Sequence, residues 1–140
     1  MTIPAAARDS MQGMIPATIA TCSADGTPNV SVISQVFYVS DDRLATSYQF
    51  FNKTVRNIRE NPRAQIFALD PRVLDHWLFD VEFLESQTDG PIFDEMDMQL
   101  EAIASLEGMS DVFKLKAADV YRVLSVRRIP VLGPPEGHES

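Results

Sequence analysis

Residues 18–48 decide the fold and read TIATCSADGTPNVSVISQVFYVSDDRLATSY. Both halves of this stretch are rich in β-branched and aromatic residues, which favour strands. Asp25, Gly26 and Pro28 lie between the halves and are typical of a turn, and Asp41 with Asp42 marks a second turn. The pattern predicts three strands, over residues 16–22, 29–39 and 44–48, of which the first two form a hairpin.

The sequence beyond this stretch predicts two helices and three more strands. Asn52 can cap a helix over residues 53–60, and Pro62 disfavours helical geometry at the residue before it. Strands follow over residues 63–69 and 75–86, and the second alternates apolar with more polar side chains. Apolar residues at three- and four-residue spacings predict an amphipathic helix over residues 91–106, and residues 111–127 form a last strand.

This order of elements predicts a protein that is mainly β with two helices. Hairpin-like connections outnumber crossovers, and closing an antiparallel sheet removes its exposed edges. We expect a six-stranded antiparallel β-barrel with Greek-key connections, formed by residues 1–129 as one domain. Residues 130–140 contain Pro and Gly, which predict an irregular C-terminal tail or a linker.

The composition argues against several classes of function. The 140 residues suffice for one hydrophobic core, and the net charge of -8 opposes nucleic-acid binding, which needs clustered Lys and Arg. Cys22 is the only cysteine, so an intrachain disulfide and a zinc site with several thiolates are excluded. Neither a signal-peptide pattern nor a membrane-spanning apolar stretch is found. We therefore expect a cytoplasmic protein that binds neither nucleic acid nor membranes.

Basic side chains are concentrated on the first predicted helix and its exit. They are Lys53, Arg56, Arg59 and Arg63. The start of this helix offers an anion free backbone N–H groups, the ammonium of Lys53 and the hydroxyl of Thr54, and Asn57 lies one turn further on. This chemistry suits a terminal phosphate, although a solvated basic helix on an acidic protein has the same composition.

Residues 17–69, which include this helix, resemble the FMN-binding split-barrel family of pyridoxamine 5'-phosphate oxidase and its small FMN-binding relatives. The resemblance rests on Asp25, Gly26 and Pro28 of the hairpin, on the strand after it, and on the block with Lys53 and Asn57. It implies a split barrel that binds FMN across its second and third strands at the interface of a homodimer. Carried over by position, it implicates nine residues in cofactor binding: Ser31, Val32, Ile33, Thr46, Ser47, Tyr48, Lys53, Thr54 and Asn57.

Several other residues are weaker candidates. Gln35 and Tyr48 suit the border of the flavin ring, and Trp77 beside His76 suits an approach to the partner's flavin, but each also fits an ordinary strand or core residue. Cys22 lies within a strand and resembles a small core residue more than a nucleophile. The acidic second helix indicates a solvated face rather than a metal site. No catalytic residue is identified.

Three functions remain open at this stage. The first is an FMN-dependent oxidoreductase with an unidentified substrate; the chain lacks the C-terminal signature and additional basic residues of the oxidase proper, so vitamin B6 oxidation is not expected. The second is an FMN-binding module without turnover, such as an electron carrier or a flavin sensor. The third is a relative that holds deazaflavin, or haem with His76, Tyr48 or Cys22 as axial ligand.

The strand predicted over residues 29–39 is apolar on both faces. Val30 and Val32 share one face, and Ile33 and Phe37 share the other. A single thin barrel would leave part of this apolar surface exposed to water. Together with the family resemblance, this pattern predicts a homodimer with the flavin at the subunit interface.

Overall fold

The computed structural model describes residues 2–11, 16–33, 36–48, 52–106 and 115–130, and at residues 48, 52–55, 103–106 and 130 it describes the backbone alone. These ranges contain seven strands and three helices. In chain order they are α1 (Ala5–Arg8), β1 (Ala17–Cys22), β2 (Pro28–Ile33), β3 (Val36–Ser40), β4 (Arg43–Tyr48), α2 (Asn52–Glu60), β5 (Arg63–Asp70), β6 (Asp75–Gln87), α3 (Pro91–Leu106) and β7 (Ala117–Pro130). No helix within them is long and apolar enough to cross a bilayer.

The strands form one antiparallel sheet in the order β2-β1-β5-β6-β7-β4-β3. The two longest strands, β6 and β7, pair with each other near its centre. The sheet curls so that β2, at one end of this order, lies against β4, next to the other end. α2 packs on β1 and β2, and α3 packs on β7. The mainly β, antiparallel fold is therefore as predicted.

The prediction of six strands and two helices was wrong in detail. Residues 29–39 were expected to form one strand but contribute to two, β2 and β3, which pair with different neighbours. Ile33 lies opposite Ala17 of β1, whereas Val36 lies opposite Thr46 of β4. One straight strand cannot reach partners near opposite ends of a sheet, so the chain leaves one end and joins the other. Among the described strands no ladder joins β2 to β3, and the sheet is open.

The start of the last strand and the N-terminal segment also differ from the prediction. The last strand begins at Ala117, after Leu115 and Lys116, while residues 111–114 lie outside the described ranges. An additional helix, α1, follows Ile3 in the N-terminal segment, and Ile3 and Ala7 of this segment are buried in the main core. The guanidinium of Arg8 lies 4.0 Å from the ring centroid of Tyr38, which fixes α1 beside β3.

Two apolar clusters lie on opposite faces of the sheet. The larger one fills the inside of the curl and includes Ile19, Leu44, Ile66, Phe79 and Tyr121. The smaller one joins α3 to the other face, with Ala45, Met96, Leu100, Leu115, Ala118 and Val120. Successive side chains of a strand point to opposite faces, so β7 contributes alternately to both clusters.

The predicted hairpin of β1 and β2 is confirmed, and its turn is built around Asp25. The Asp25 carboxylate accepts hydrogen bonds from the Ser23 hydroxyl, and from the Thr27 hydroxyl and backbone N–H at 2.8 and 3.1 Å. These bonds, led by that of Ser23, lower the pKa of Asp25 from 3.8 to about 2. Gly26 adopts φ of 86°, a left-handed conformation that glycine reaches without steric cost.

Candidate functional site

The three segments implicated in cofactor binding come together in one region of the fold. α2 packs on β1 and β2, and β2 lies against β4. Only a short connection separates Tyr48, the last residue of β4, from Asn52, the first residue of α2. The elements that contain residues 31–33, 46–48 and 53–57 are therefore neighbours, although β2 and β4 are distant in the hydrogen-bonded order of the sheet.

Hydrogen bonds hold α2 against the β1–β2 hairpin. Asn57 Nδ2 donates to Thr21 Oγ1 at 3.2 Å, and both side chains are buried. At the other end of the helix, Glu60 Oε1 accepts from the backbone N–H of Ala24 at 2.8 Å. Asn57 was implicated in ligand binding, but its amide faces the core and anchors the helix.

The start of α2 retains its positive electrostatic character. Its first turn contains no acidic residue, so no carboxylate there competes for the free N–H groups at the positive end of the helix dipole. Lys53 and Thr54 both lie in this first turn, and their side chains are outside the description. Arg56 and Arg59 are exposed on the same helix. The residues present therefore fit a phosphate group at this point.

The three implicated residues of β2 have different surroundings. Val32 is 61% exposed, whereas Ile33 is buried in the main core. Ser31 is half-buried, and its hydroxyl accepts a hydrogen bond from Asn29 Nδ2 at 3.1 Å. Ser31 is therefore the one member of the three that combines a polar side chain with partial exposure.

Two of the three implicated residues of β4 are covered by protein. Thr46 and Ser47 are buried, and the side chain of Tyr48 lies outside the description. Ser47 Oγ has no hydrogen-bond partner among the described residues, and leaving a buried hydroxyl unpaired costs roughly 1–3 kcal/mol. In this conformation a ligand beside β4 would meet its backbone rather than these two side chains.

Sequence analysis did not identify the buried carboxylate of Asp119 on β7. Asp119 lies opposite Thr46 of β4 and beside Ser86 of β6, whose hydroxyl donates a hydrogen bond to it at 2.5 Å. Burial raises the pKa of Asp119, while the bond from Ser86 and the charge of Arg59 act in the opposite direction. One feature of the sequence could have indicated this buried acid. Along β7, Asp119 is the single carboxylate among apolar residues that recur at every second position, which is the period of one strand face.

The weaker candidates are distributed over the molecule. Trp77 is 7% exposed and belongs to the main core, in agreement with the core alternative. His76 is half-buried, and its ring packs against Phe67 with centroids 5.1 Å apart. Gln35 lies outside the described residues. Within the described ranges, no group of three or more His, Cys, Asp or Glu side chains could hold a metal ion.

A separate groove of about 450 Å³ is lined by residues of β1, β5, β6 and β7, among them Ala20 and Cys22 of β1. The polar wall of the groove is a row of hydrogen-bonded side chains from three neighbouring strands. Gln65 Nε2 and Ser125 Oγ each donate a hydrogen bond to the Asp80 carboxylate, at 2.8 and 2.6 Å. The bond from Ser125 is the main cause that lowers the pKa of Asp80. None of the nine implicated residues lines this groove.

The chain is similar to known proteins both in sequence and in fold. Residues 3–124 match the family described as pyridoxamine 5'-phosphate oxidase. A search of curated proteins found no significant match. An FMN-binding protein from Syntrophomonas wolfei subsp. wolfei has a similar structure, with a TM-score of 0.71 and 20% identity, over 90% of this chain and 87% of its own.

Two other solved structures share the fold. An F420 reductase matches with a TM-score of 0.62 and 15% identity, over 89% of this chain and 98% of its own. The haem storage protein HutZ from Vibrio cholerae matches with a TM-score of 0.54 and 18% identity, over 90% and 94%. At these identities the structures establish the fold alone. Because the family match itself covers most of the chain, the protein belongs to the pyridoxamine 5'-phosphate oxidase family.

Proposed function

We propose that this protein binds FMN, with the phosphate at the start of α2 and the flavin along β2 and the end of β4. The observation that carries the proposal is the convergence of these three segments, which lie apart in the sheet order. Family membership supports it, as does the shared fold of the Syntrophomonas wolfei FMN-binding protein.

The residues of α2 have two separate parts in this proposal. Lys53 and Thr54, together with the free N–H groups of the first turn, hold the phosphate. Asn57 and Glu60 hold the helix in place through Thr21 and Ala24. Because hydrogen bonds to a charged group contribute roughly 1.5–3 kcal/mol each, a few such bonds give the phosphate a large share of the binding free energy.

We further propose an oxidoreductase whose substrate is unidentified. FMN, when bound, supplies hydride or single-electron transfer. The role of the protein is then to orient the flavin ring against β2 and β4 and to exclude water from the ring. A module that binds FMN without turnover is the alternative. Deazaflavin and haem are the alternative ligands, since a reductase of F420 and a haem storage protein share this fold.

We infer a homodimer from the outer face of β2. Val30 and Val32 lie on the same face of this strand and are 67% and 61% exposed. Adjacent exposed valines on an edge strand are typical of a surface that a partner covers. A second copy of the chain is the proposed partner, with the flavin at the interface.

Equilibrium titration with FMN and with riboflavin tests the phosphate site directly. Riboflavin has the same ring but no phosphate, so the two ligands differ only at the group assigned to α2. Quenching of flavin fluorescence should show FMN binding at least about 10-fold more tightly, as expected for one charge-assisted hydrogen bond or more. Equal affinities would remove the phosphate site, and no binding of either ligand would remove the flavin.

A further inference from the structure

Asp119 is a buried acid that the proposed cofactor chemistry does not use. It is 5% exposed, and Ser86 is its one side-chain hydrogen-bond donor among the described residues. Within these residues, the charge of Arg59 from α2 acts on Asp119, and the charge of Asp119 acts in turn on the Tyr121 phenol of β7. The neighbouring positions of β4 and β6 present only hydroxyls, those of Thr46 and Ser86.

This acid is connected to the proposed phosphate position from two sides. Thr46, directly opposite Asp119, belongs to the segment of β4 that leads into α2. Arg59, whose charge partly offsets that of Asp119, lies on the same helix whose first turn is to hold the phosphate. Arg59 lies seven positions after Asn52 on this helix, which corresponds to roughly 10 Å along the axis.

A phosphate at the start of α2 would therefore bring a second negative charge near a carboxylate that water does not screen. Burial already raises the pKa of Asp119, so neutralising it with a proton costs less than neutralising an exposed aspartate. Tyr121 adds no compensating charge, because burial and the nearby charge of Asp119 raise the pKa of its phenol.

We propose that Asp119 takes up a proton from water when a phosphate-bearing ligand binds at the start of α2, so that ligand affinity depends on pH through this residue. The inference rests on the proposed function. The proton binds to a carboxylate oxygen, and the hydrogen bond from Ser86 can be kept. Since linkage is reciprocal, protonation of Asp119 strengthens ligand binding by the same factor by which the ligand favours protonation.

The test compares the FMN affinity of the wild type with that of Asp119→Asn between about pH 5 and pH 8. This range lies roughly one to four units above the ordinary pKa of an aspartate. The amide keeps an acceptor for Ser86 but has no charge. Unit charges roughly 10–15 Å apart at an effective dielectric constant of about 20 change affinity roughly 5- to 15-fold. Wild-type affinity should fall by that additional factor as pH rises. Asp94→Asn, an exposed change on α3, should behave as the wild type.

Calorimetry in two buffers of different ionisation enthalpy measures the proton directly. The wild type should take up more protons on binding FMN than Asp119→Asn, while ionisation of the phosphate itself is common to both. Arg59→Gln, at an exposed position, should move the wild-type transition to higher pH because it removes the charge that favours ionised Asp119.

The outcomes separate this inference from the function on which it rests. FMN binding with the same pH profile and proton count in the wild type and Asp119→Asn would overturn the inference and leave the FMN proposal intact. An unchanged transition in Arg59→Gln would also contradict it. No FMN binding at any pH by the folded wild type would remove the proposed function, and this inference with it.

Discussion

Lys53 and Asn57 lie one turn apart on α2 and differ in what they contact. The amide of Asn57 is buried and bonded to Thr21, so it contributes to the position of the helix. Lys53 brings an ammonium to the first turn, where the helix dipole is positive and no carboxylate opposes it. Ligand affinity should therefore be sensitive to Lys53, and stability should be sensitive to Asn57.

Changing Lys53 to Glu should weaken FMN binding by at least about 10-fold, because it removes one charge-assisted hydrogen bond and adds repulsion. Lys53→Ala should have a smaller effect in the same direction. Arg127→Glu makes the same charge change at an exposed position opposite Leu78, far along β7 from the strand's pairing with Tyr48, and should leave affinity nearly unaltered. Unchanged FMN affinity in both Lys53 variants, measured by fluorescence titration, would remove the assignment of the phosphate site.

Among the elements, α3 packs on the sheet through one face of its described side chains. Met96 is fully buried and Leu100 is 3% exposed, and both pack on Ala118 and Val120 of β7. Met98, two residues from Met96 on the same helix, is 69% exposed. The amphipathic pattern of the sequence predicted this helix and its buried face, because a helix with a three- to four-residue apolar repeat can bury only one side.

Met96→Ala should lower the free energy of unfolding by roughly 2–4 kcal/mol, since it removes buried methylene groups and leaves a cavity. Met98→Ala is the matched control on the exposed side and should change it by less than about 0.5 kcal/mol. Urea unfolding followed by circular dichroism measures both. Similar losses in the two variants would mean that α3 does not pack on β7 as described.

Local patterns of the sequence predicted elements better than they predicted strand partners. The hairpin around Asp25 and the alternation along β6 depend on neighbours in the chain, and both are confirmed. The division of residues 29–39 depends on which distant strands pair with each half, and periodicity carries no such information. For the same reason the sequence did not indicate that Asp119 is buried, because its neighbours Thr46 and Ser86 belong to other strands.

At the level of the whole molecule, the outer face of β2 is an apolar surface that the described part of the fold leaves exposed. Val30 and Val32 are among the most exposed large apolar residues of the described chain. Their inward neighbour Ile33 is fully buried, so the strand contributes to the core on one side and presents an apolar row on the other. This arrangement is the physical basis of the proposed homodimer.

Val32→Lys should shift the protein from dimer to monomer at micromolar concentration without unfolding it, because a charge would have to be buried at the interface. Met98→Lys places the same charge at a comparably exposed site on α3 and should leave the dimer intact. Size-exclusion chromatography with light scattering gives both masses. A wild-type protein that is already monomeric would contradict the proposed dimer.

The central claim is that this chain holds FMN, and the visible absorption spectrum tests it most directly. Purified protein is mixed with FMN, freed of excess ligand and measured, and the released chromophore is identified by mass. We predict a retained flavin spectrum close to one FMN per subunit. A folded protein that retains no FMN, or that carries deazaflavin or haem instead, would contradict the claim.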